Sequence, residues 1–454
     1  MFKMVESTNY QTAYKGKWHM TKPTQFVNNN KKGSKAFNQL YWTKEDVPFL
    51  KEMYGINEWN YPDAGDDGNL FNFGGGNVNN DGRFVDGDGQ NAWYGEKENS
   101  KEERIEASAV NYLKKVDTKN GENPFFLVVS LVNPHDVLAY PGNGRMVDNG
   151  RRDPLYKKAG YKDKDFKHLD VKLPDSWNDS LKTKPKVQKS WRRICQLVGP
   201  IRKGEKKRAN NYVKFYAHLT SVVDQEINKV LNALEEFEHD ENTLVIRISD
   251  HGDMGMAHGR QRQKMYNVYQ QTLNVPLIFS HPKIDGSHST ESFAGLIDLM
   301  PTIADIVGAN TEDFNLQGES LIDAIDNPNE SFQDHVHFTF DDNYAVSNKP
   351  WSMGASHIRC IKQKNAEGVI WKYAVYFDPD YGQEMEYEMY NLTKDSDEKI
   401  NLAHEDTKLD KETAVIIEEK RQELHQLLSR VIDEKGTKPD SVLWPEKSGD
   451  TPGK

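Results

Sequence analysis

The sequence predicts an α/β fold with a mainly parallel sheet and helices on both faces, followed by a small C-terminal antiparallel sheet with one helix. Three observations carry this. Strand-like and helix-like apolar patterns alternate through the first three quarters of the chain. Phe125 to Leu131 is a continuous apolar run after Pro124, the pattern of a strand buried on both faces. Beyond about residue 330 the pattern shifts to short alternating segments, which suit antiparallel strands. The expected division is a core over residues 1–330 and an α+β subdomain over 331–454.

Taken in order, Gln11-Thr12-Ala13-Tyr14 reads as a short strand running into Gly16-Lys17-Trp18-His19. Residues 57–92 are rich in Asn, Asp and Gly and read as a long loop. Within it, Asn77-x-Asn79-x-Asp81-Gly82 lacks the bidentate Glu of a Ca²⁺ loop, so it reads as a polar loop at the site. Lys101 to Val116 reads as one helix, with Ile105, Ala109, Tyr112 and Leu113 on one face. Tyr212 to Phe237 is a long amphipathic helix and Leu244 to Ser249 the next core strand. Asp298 reads as an N-cap, with Pro301 in the first turn and Gly308 closing the helix. Val336–Phe340, His357–Ile361, Tyr373–Phe377 and Tyr387–Tyr390 read as strands, and Lys411 to Val431 as a final helix.

Composition excludes several classes. Net charge is −11, which argues against a general nucleic-acid binder. No apolar run is long enough for a membrane span. The two cysteines, Cys195 and Cys360, cannot make a disulfide framework or a Cys-x-x-Cys metal motif. Arg145 to Arg208 holds twenty Lys and Arg against eight acids. This basic segment reads as an insertion bordering the site, with Lys184, Lys186 and Lys189 as candidates for contacting an anionic substrate.

Three polar clusters fall after predicted strands: Lys17 with His19, Asn133-Pro134-His135-Asp136, and Asp250-His251-Gly252-Asp253. Ligand sites in open α/β sheets lie outside the carboxyl ends of the strands. The residue types suit oxyanion chemistry. Asp250 and His251 offer an oxygen and an imidazole to one divalent cation. Lys17 and Lys264 supply positive charge for the non-bridging oxygens of a sulfate or phosphate. His19 and His135 could donate a hydrogen bond or a proton to a leaving oxygen.

These motifs resemble the sulfatase family of the alkaline-phosphatase superfamily, and the arylsulfatase and choline-sulfatase types within it. Gly16-Lys17-Trp18-His19 is similar to its Gly-Lys-Trp-His motif. Ser249-Asp250-His251-Gly252-Asp253-Met254 resembles its second metal motif, and Gln263-Lys264-Met265-Tyr266 its lysine motif. Leu296 to Thr302 and Leu316 to Leu321 match further landmarks in the same order. The resemblance implies an alkaline-phosphatase-like fold, hydrolysis of a sulfate ester, and one divalent ion, Ca²⁺ foremost with Mn²⁺ or Zn²⁺ as alternatives. It implies Asp250 and His251 as metal ligands, Lys17 and Lys264 on the sulfate oxygens, and His19 beside the nucleophile. His135 becomes either the general acid or a sulfate contact. The implied substrate is a sulfated small molecule or polysaccharide.

The family begins with a strand bearing paired aspartates, then a Cys/Ser-x-Pro-x-Arg whose first residue matures to formylglycine, the nucleophile. Sixteen residues precede Lys17, and no Cys/Ser-x-Pro-x-Arg occurs in the sequence. The expectation is an N-terminally truncated chain, a fragment or incomplete gene product rather than a pseudoenzyme, without turnover as written. Two alternatives stand beside it. Asp250-His251 resembles the pairing often carried by choline-sulfatase-like enzymes and phosphonate monoester hydrolases, so a phosphonate monoester or phosphodiester hydrolase of the same superfamily is the first. A non-catalytic fragment would show no metal-dependent stabilisation.

Overall fold

The computed structural model describes residues 1–18, 20, 26–27, 39–40, 46–59, 81–87, 101–118, 122–142, 154–158, 160–341, 354–379, 382–439 and 444–449. Strand β1 (Gln11–Gly16) lies at the centre of a parallel sheet. Two further strands, β2 (Phe26–Val27) and β3 (Gln39–Leu40), form a separate short antiparallel pair. On one side β1 pairs with β4 (Glu58–Trp59), on the other with β5 (Phe125–Ser130), Gln11 opposite Phe125 through Gly16 opposite Ser130.

Alternation along these strands sends side chains to two cores, as the period of two requires. Ala13, Phe125 and Leu127 pack on the helices Ala109–Lys115 and Lys206–Glu236 through Tyr112, Leu113, Ala233 and Leu234. Tyr14, Phe126 and Val128 pack on the opposite face with Phe2, Trp18, Leu50 and Trp59. Helices therefore cover both faces. Next, β6 (Val245–Ile248) pairs antiparallel with β7 (Leu277–Ser280), which like the β2–β3 pair departs from the expected parallel pattern. Val245 joins the first core and Ile246 packs with Met4, Val5, Ile303 and Ala304. The pair thus extends the same layer without hydrogen-bonding to β5 among the described residues.

The C-terminal sheet is an antiparallel meander of β8 (His335–Asp341), β9 (His357–Lys364), β10 (Ile370–Phe377) and β11 (Glu386–Asn391). One face packs on the helix Lys411–Glu434, through Tyr373, Val375 and Phe377 against Leu424, Leu428 and Ile432. Asp410 caps that helix by accepting from Thr413 N at 2.9 Å. The other face, Ile358, Cys360, Ala374 and Tyr376, packs on Val187, Tyr266 and Val268. That contact joins the small sheet to the segment carrying Lys264.

Two local readings need correction. The helix expected over 101–116 breaks at Ser108, whose hydroxyl caps a second helix by accepting from Asn111 N at 3.2 Å. Within the basic segment, periodicity was masked by prolines, yet Lys186–Val198 is a thirteen-residue helix. The Asp298 and Gly308 boundaries hold, with Gly308 left-handed at φ 67°. No described helix is long and apolar enough to cross a membrane.

Candidate active site

Three strand ends build the site. At the end of β1, Gly16 sits at φ 113°, and a Cβ there would lie 1.9 Å from Ser130 O. Only glycine allows β1 and β5 to approach so closely. Lys17 then follows at the carboxyl edge, its amide donating to Ser130 O at 2.9 Å. Trp18 turns away into the core against Tyr14 and Tyr54. His19 lies outside the described residues.

After β5, the carboxylate of Asp81 accepts from Val132 N at 2.6 Å, Asn133 N at 3.1 Å and Asn133 Nδ2 at 2.8 Å. This fully buried acid fixes the turn that launches His135. Asp81 is thus a backbone anchor rather than a free loop carboxylate, while Asn77 and Asn79 lie outside the described residues. Burial raises it to about 6, against the lowering effect of those three bonds.

After β6, Gly252 passes so close to Gln271 O that a Cβ would lie 2.0 Å away. The half-buried Asp253 accepts from Gly255 N, Gln263 N and the Tyr212 hydroxyl. Met254 N to Gln263 O and Met256 N to Gln261 O, both 3.0 Å, close a hairpin that returns Lys264 to the strand ends.

The result brings five expected residues into one neighbourhood. Lys264 Nζ lies 2.7 Å from His135 Nε2. The His135 and His251 rings meet edge to face at 5.6 Å. Asp250 Oδ2 lies 3.5 Å from His251 Nε2. Lys17 acts electrostatically on Asp136, His251 and Lys264. Burial, then the Lys17 charge, lowers Lys264 to about 8, opposed by Asp250, Asp253 and Asp136. His251 is lowered first by burial and then by Lys264, which favours its neutral form.

The neutral imidazole suits a metal. Its Nδ1 bonds Gly252 O at 2.7 Å, leaving Nε2 for a ligand. Asp250 is exposed beside it, so an oxygen and a nitrogen donor fit two positions of a divalent ion's shell. Among the described residues, no group of three His, Cys, Asp or Glu forms a fuller set.

Several partners were not singled out in the sequence. Asp136 is fully buried, accepts from His135 Nδ1 at 3.1 Å, and is raised to about 7 by burial, opposed by Lys17 and Lys264. Gln263 Nε2 donates to His135 O at 3.2 Å. Adjacency to His135 and Lys264 was the available signal. Lys184, expected as a substrate contact, is instead buried. Its ammonium donates to Tyr390 OH at 2.8 Å and Glu398 O at 2.6 Å. Lys186 stays exposed, beside Glu384 at 3.4 Å.

Known proteins share this architecture. The chain is 28% identical to dog (Canis lupus familiaris) arylsulfatase K over 305 residues, covering 65% of this chain and 51% of that protein. It spans about half the length of the curated relatives it matches. A protein solved in complex with its substrate D-glucosamine-2-N,6-O-disulfate shares the fold at TM-score 0.58 and 17% identity, over 96% of this chain and 81% of that one. A phosphonate monoester hydrolase from Silicibacter pomeroyi does so at TM-score 0.54 and 16% identity, over 96% and 79%. The sulfatase family model matches residues 1–309, more than half of the sequence, and the chain therefore belongs to the sulfatase family of the alkaline-phosphatase superfamily.

Proposed function

We propose that this chain supplies the anion-binding and leaving-group side of a sulfuric ester hydrolase. The observation that carries this is the Lys264–His135 contact beside Lys17, His251 and Asp250 at the ends of three strands. Lys17 and Lys264 bind the non-bridging oxygens, where two positive charges outweigh their mutual repulsion once an anion lies between them. His135 Nε2 faces the leaving oxygen, to hydrogen-bond it or to protonate it. His19 would stand beside the nucleophile, by the family resemblance. Asp250 and His251 would hold one divalent ion, Ca²⁺ foremost with Mn²⁺ or Zn²⁺ as alternatives, which when bound supplies positive charge against the ester oxygens. Residues 331–454 act as a subdomain that buttresses the Lys264 segment.

The nucleophile is a formylglycine, and no Cys/Ser-x-Pro-x-Arg in this sequence supplies it. The 454-residue chain by itself is therefore expected to be inactive. The substrate is a sulfated small molecule or saccharide, a reading supported by the disulfated glucosamine held by the similar structure. A second reading, phosphonate monoester hydrolysis, is favoured by the Asp250-His251 pair and by the shared fold of the phosphonate hydrolase.

The test compares this chain with a version extended by a matured nucleophile segment, on an aryl sulfate and an aryl phosphonate monoester. Sulfate turnover only in the extended form, lost in Lys264→Ala, supports the proposal. Phosphonate turnover exceeding sulfate turnover supports the second reading. Turnover by the short chain, also lost in Lys264→Ala, would falsify the missing nucleophile.

A further inference from the structure

Asp136 has no part in the chemistry above, yet its carboxylate bonds the ring of His135. The two side chains are only 8% and 6% exposed, with His135 Nδ1 and Asp136 Oδ1 at 3.1 Å. On the other side of the ring, Nε2 faces Lys264 Nζ at 2.7 Å. An ammonium is a donor only, so Nε2 must accept from it. A neutral ring then carries its proton on Nδ1, where a carboxylate can accept it. Both neighbours demand the same tautomer.

We propose that Asp136 is a positioning residue of this site: by accepting the Nδ1 proton it fixes His135 in the tautomer whose Nε2 accepts from Lys264 in the resting site, so that Nε2 acts on the leaving oxygen only after taking up a proton, with Asp136 holding the resulting imidazolium. The backbone beneath reinforces this. Asp81 grips the Val132 and Asn133 amides, and Gln263 Nε2 holds His135 O at 3.2 Å, so the backbone that carries the ring is fixed from two directions. A fixed ring orientation is what a proton donor or acceptor at a leaving oxygen needs, since misplacement by about 1 Å costs rate steeply. If Nε2 takes up a proton, Asp136 is already placed to stabilise the imidazolium, because a charge-assisted bond strengthens when the donor becomes cationic.

The bland reading is that Asp136 only fills the turn. It predicts stability effects but no fixed tautomer. The inference takes its purpose from the sulfatase reading of the site, but its test needs no turnover, so the two can fail separately.

The experiment labels the histidines of the 454-residue chain with ¹⁵N and records long-range ¹H–¹⁵N correlations between about pH 7, where Asp136 ionises, and about pH 8, where Lys264 loses its proton. The chain has fourteen histidines, so His135 is assigned by the signals missing in His135→Gln. Expected is a protonated Nδ1, an unprotonated Nε2 and a far-downfield Nδ1 proton. In Asp136→Asn, which preserves shape and one acceptor, the tautomer persists and the downfield shift is lost. In Asp136→Ala only Lys264 still favours the Nδ1-protonated form, so the downfield shift is lost and the Nε2-protonated form gains population. A proton resident on Nε2 in the unsubstituted chain overturns the proposal. So does an Asp136→Asn variant whose Nδ1 proton does not move. These two arms decide the question even where Asp136→Ala fails to fold.

Discussion

Removing the Glu398 carboxylate tests whether the small C-terminal sheet holds the lysine segment in place. Glu398 and Lys372 form an ion pair with side chains 0% and 1% exposed. Glu398 Oε2 accepts from Gln270 N at 2.7 Å, and Lys372 Nζ donates to Val268 O at 2.5 Å. One ion pair therefore clamps residues 268–270, a few positions beyond Lys264, to β10 and the turn after β11. In Glu398→Ala the Lys372 ammonium keeps its burial and loses its counter-charge. Breaking a buried pair this way costs about 3–5 kcal/mol. At 1.4 kcal/mol per decade, local opening at Gln270 should become roughly 10²- to several-10³-fold more frequent. The assay is amide exchange at Gln270, with the first urea transition as a second measure. In Lys372→Ala/Glu398→Ala the buried charge is gone from both sides, and the loss should fall short of the sum of the single losses by about 2–3 kcal/mol. A single-variant loss below about 1 kcal/mol, the scale of an exposed pair, would refute the reasoning. So would strict additivity.

Other outcomes follow from the same geometry. Lys184→Ala should destabilise by about 1.5–3 kcal/mol through lost charged hydrogen bonds, while Lys186→Ala and Lys189→Ala stay within about 0.5 kcal/mol in urea unfolding. In an extended, active form, Lys264→Ala should lower kcat roughly 10²–10³-fold on aryl sulfate. Sulfate affinity, read by calorimetry, should fall as pH rises through about 8, because Lys264 then loses its charge, and Lys264→Ala should remove that step. Asp136 is raised from 3.8 to about 7, so between those values the folded chain keeps a proton that the unfolded chain releases. Its contribution to stability is therefore largest at acid pH and falls as pH climbs toward about 7, at up to about 1.4 kcal/mol per pH unit. Asp136→Asn should flatten that slope in urea midpoints measured across the range.

Legibility divided along a physical line. Lys17, His135, Asp250, His251 and Lys264 were readable because each follows a strand or a motif of fixed spacing, and strand ends meet at one edge of a sheet. The strands themselves were readable from apolar runs, and the Gly308 stop from its chemistry. Asp81, Asp136, Lys184, Glu398 and Lys372 were not readable as partners. Each is a charged residue, and charge in a sequence reads as surface until the fold shows what it touches. Lys184 bonds residues 206 and 214 positions away, a separation no local pattern carries. Its neighbours in the basic segment made it look like part of a surface that contacts an anionic substrate.

The hairpin behind Lys264 shows why that distant packing bears on function. Met256, His258, Arg260, Gln263 and Tyr266 all have positive φ, five of the nine such non-glycine residues described. A left-handed conformation costs a residue with a Cβ roughly 1–2 kcal/mol, so the five together rival the roughly 5–15 kcal/mol net stability of a whole domain. An isolated hairpin would not hold this shape. Here His258 stacks on Tyr269 at 3.7 Å, and Tyr266 is fully buried against Trp191 and Phe340. Tyr269 OH reaches Gln188 and the buried Glu388 of β11. The strain is thus offset by contacts from the helix Lys186–Val198 and from the C-terminal sheet, neither of which contributes a side chain to the proposed chemistry. Lys264 stands 2.7 Å from His135 because elements far along the chain force its hairpin into a conformation its own residues disfavour.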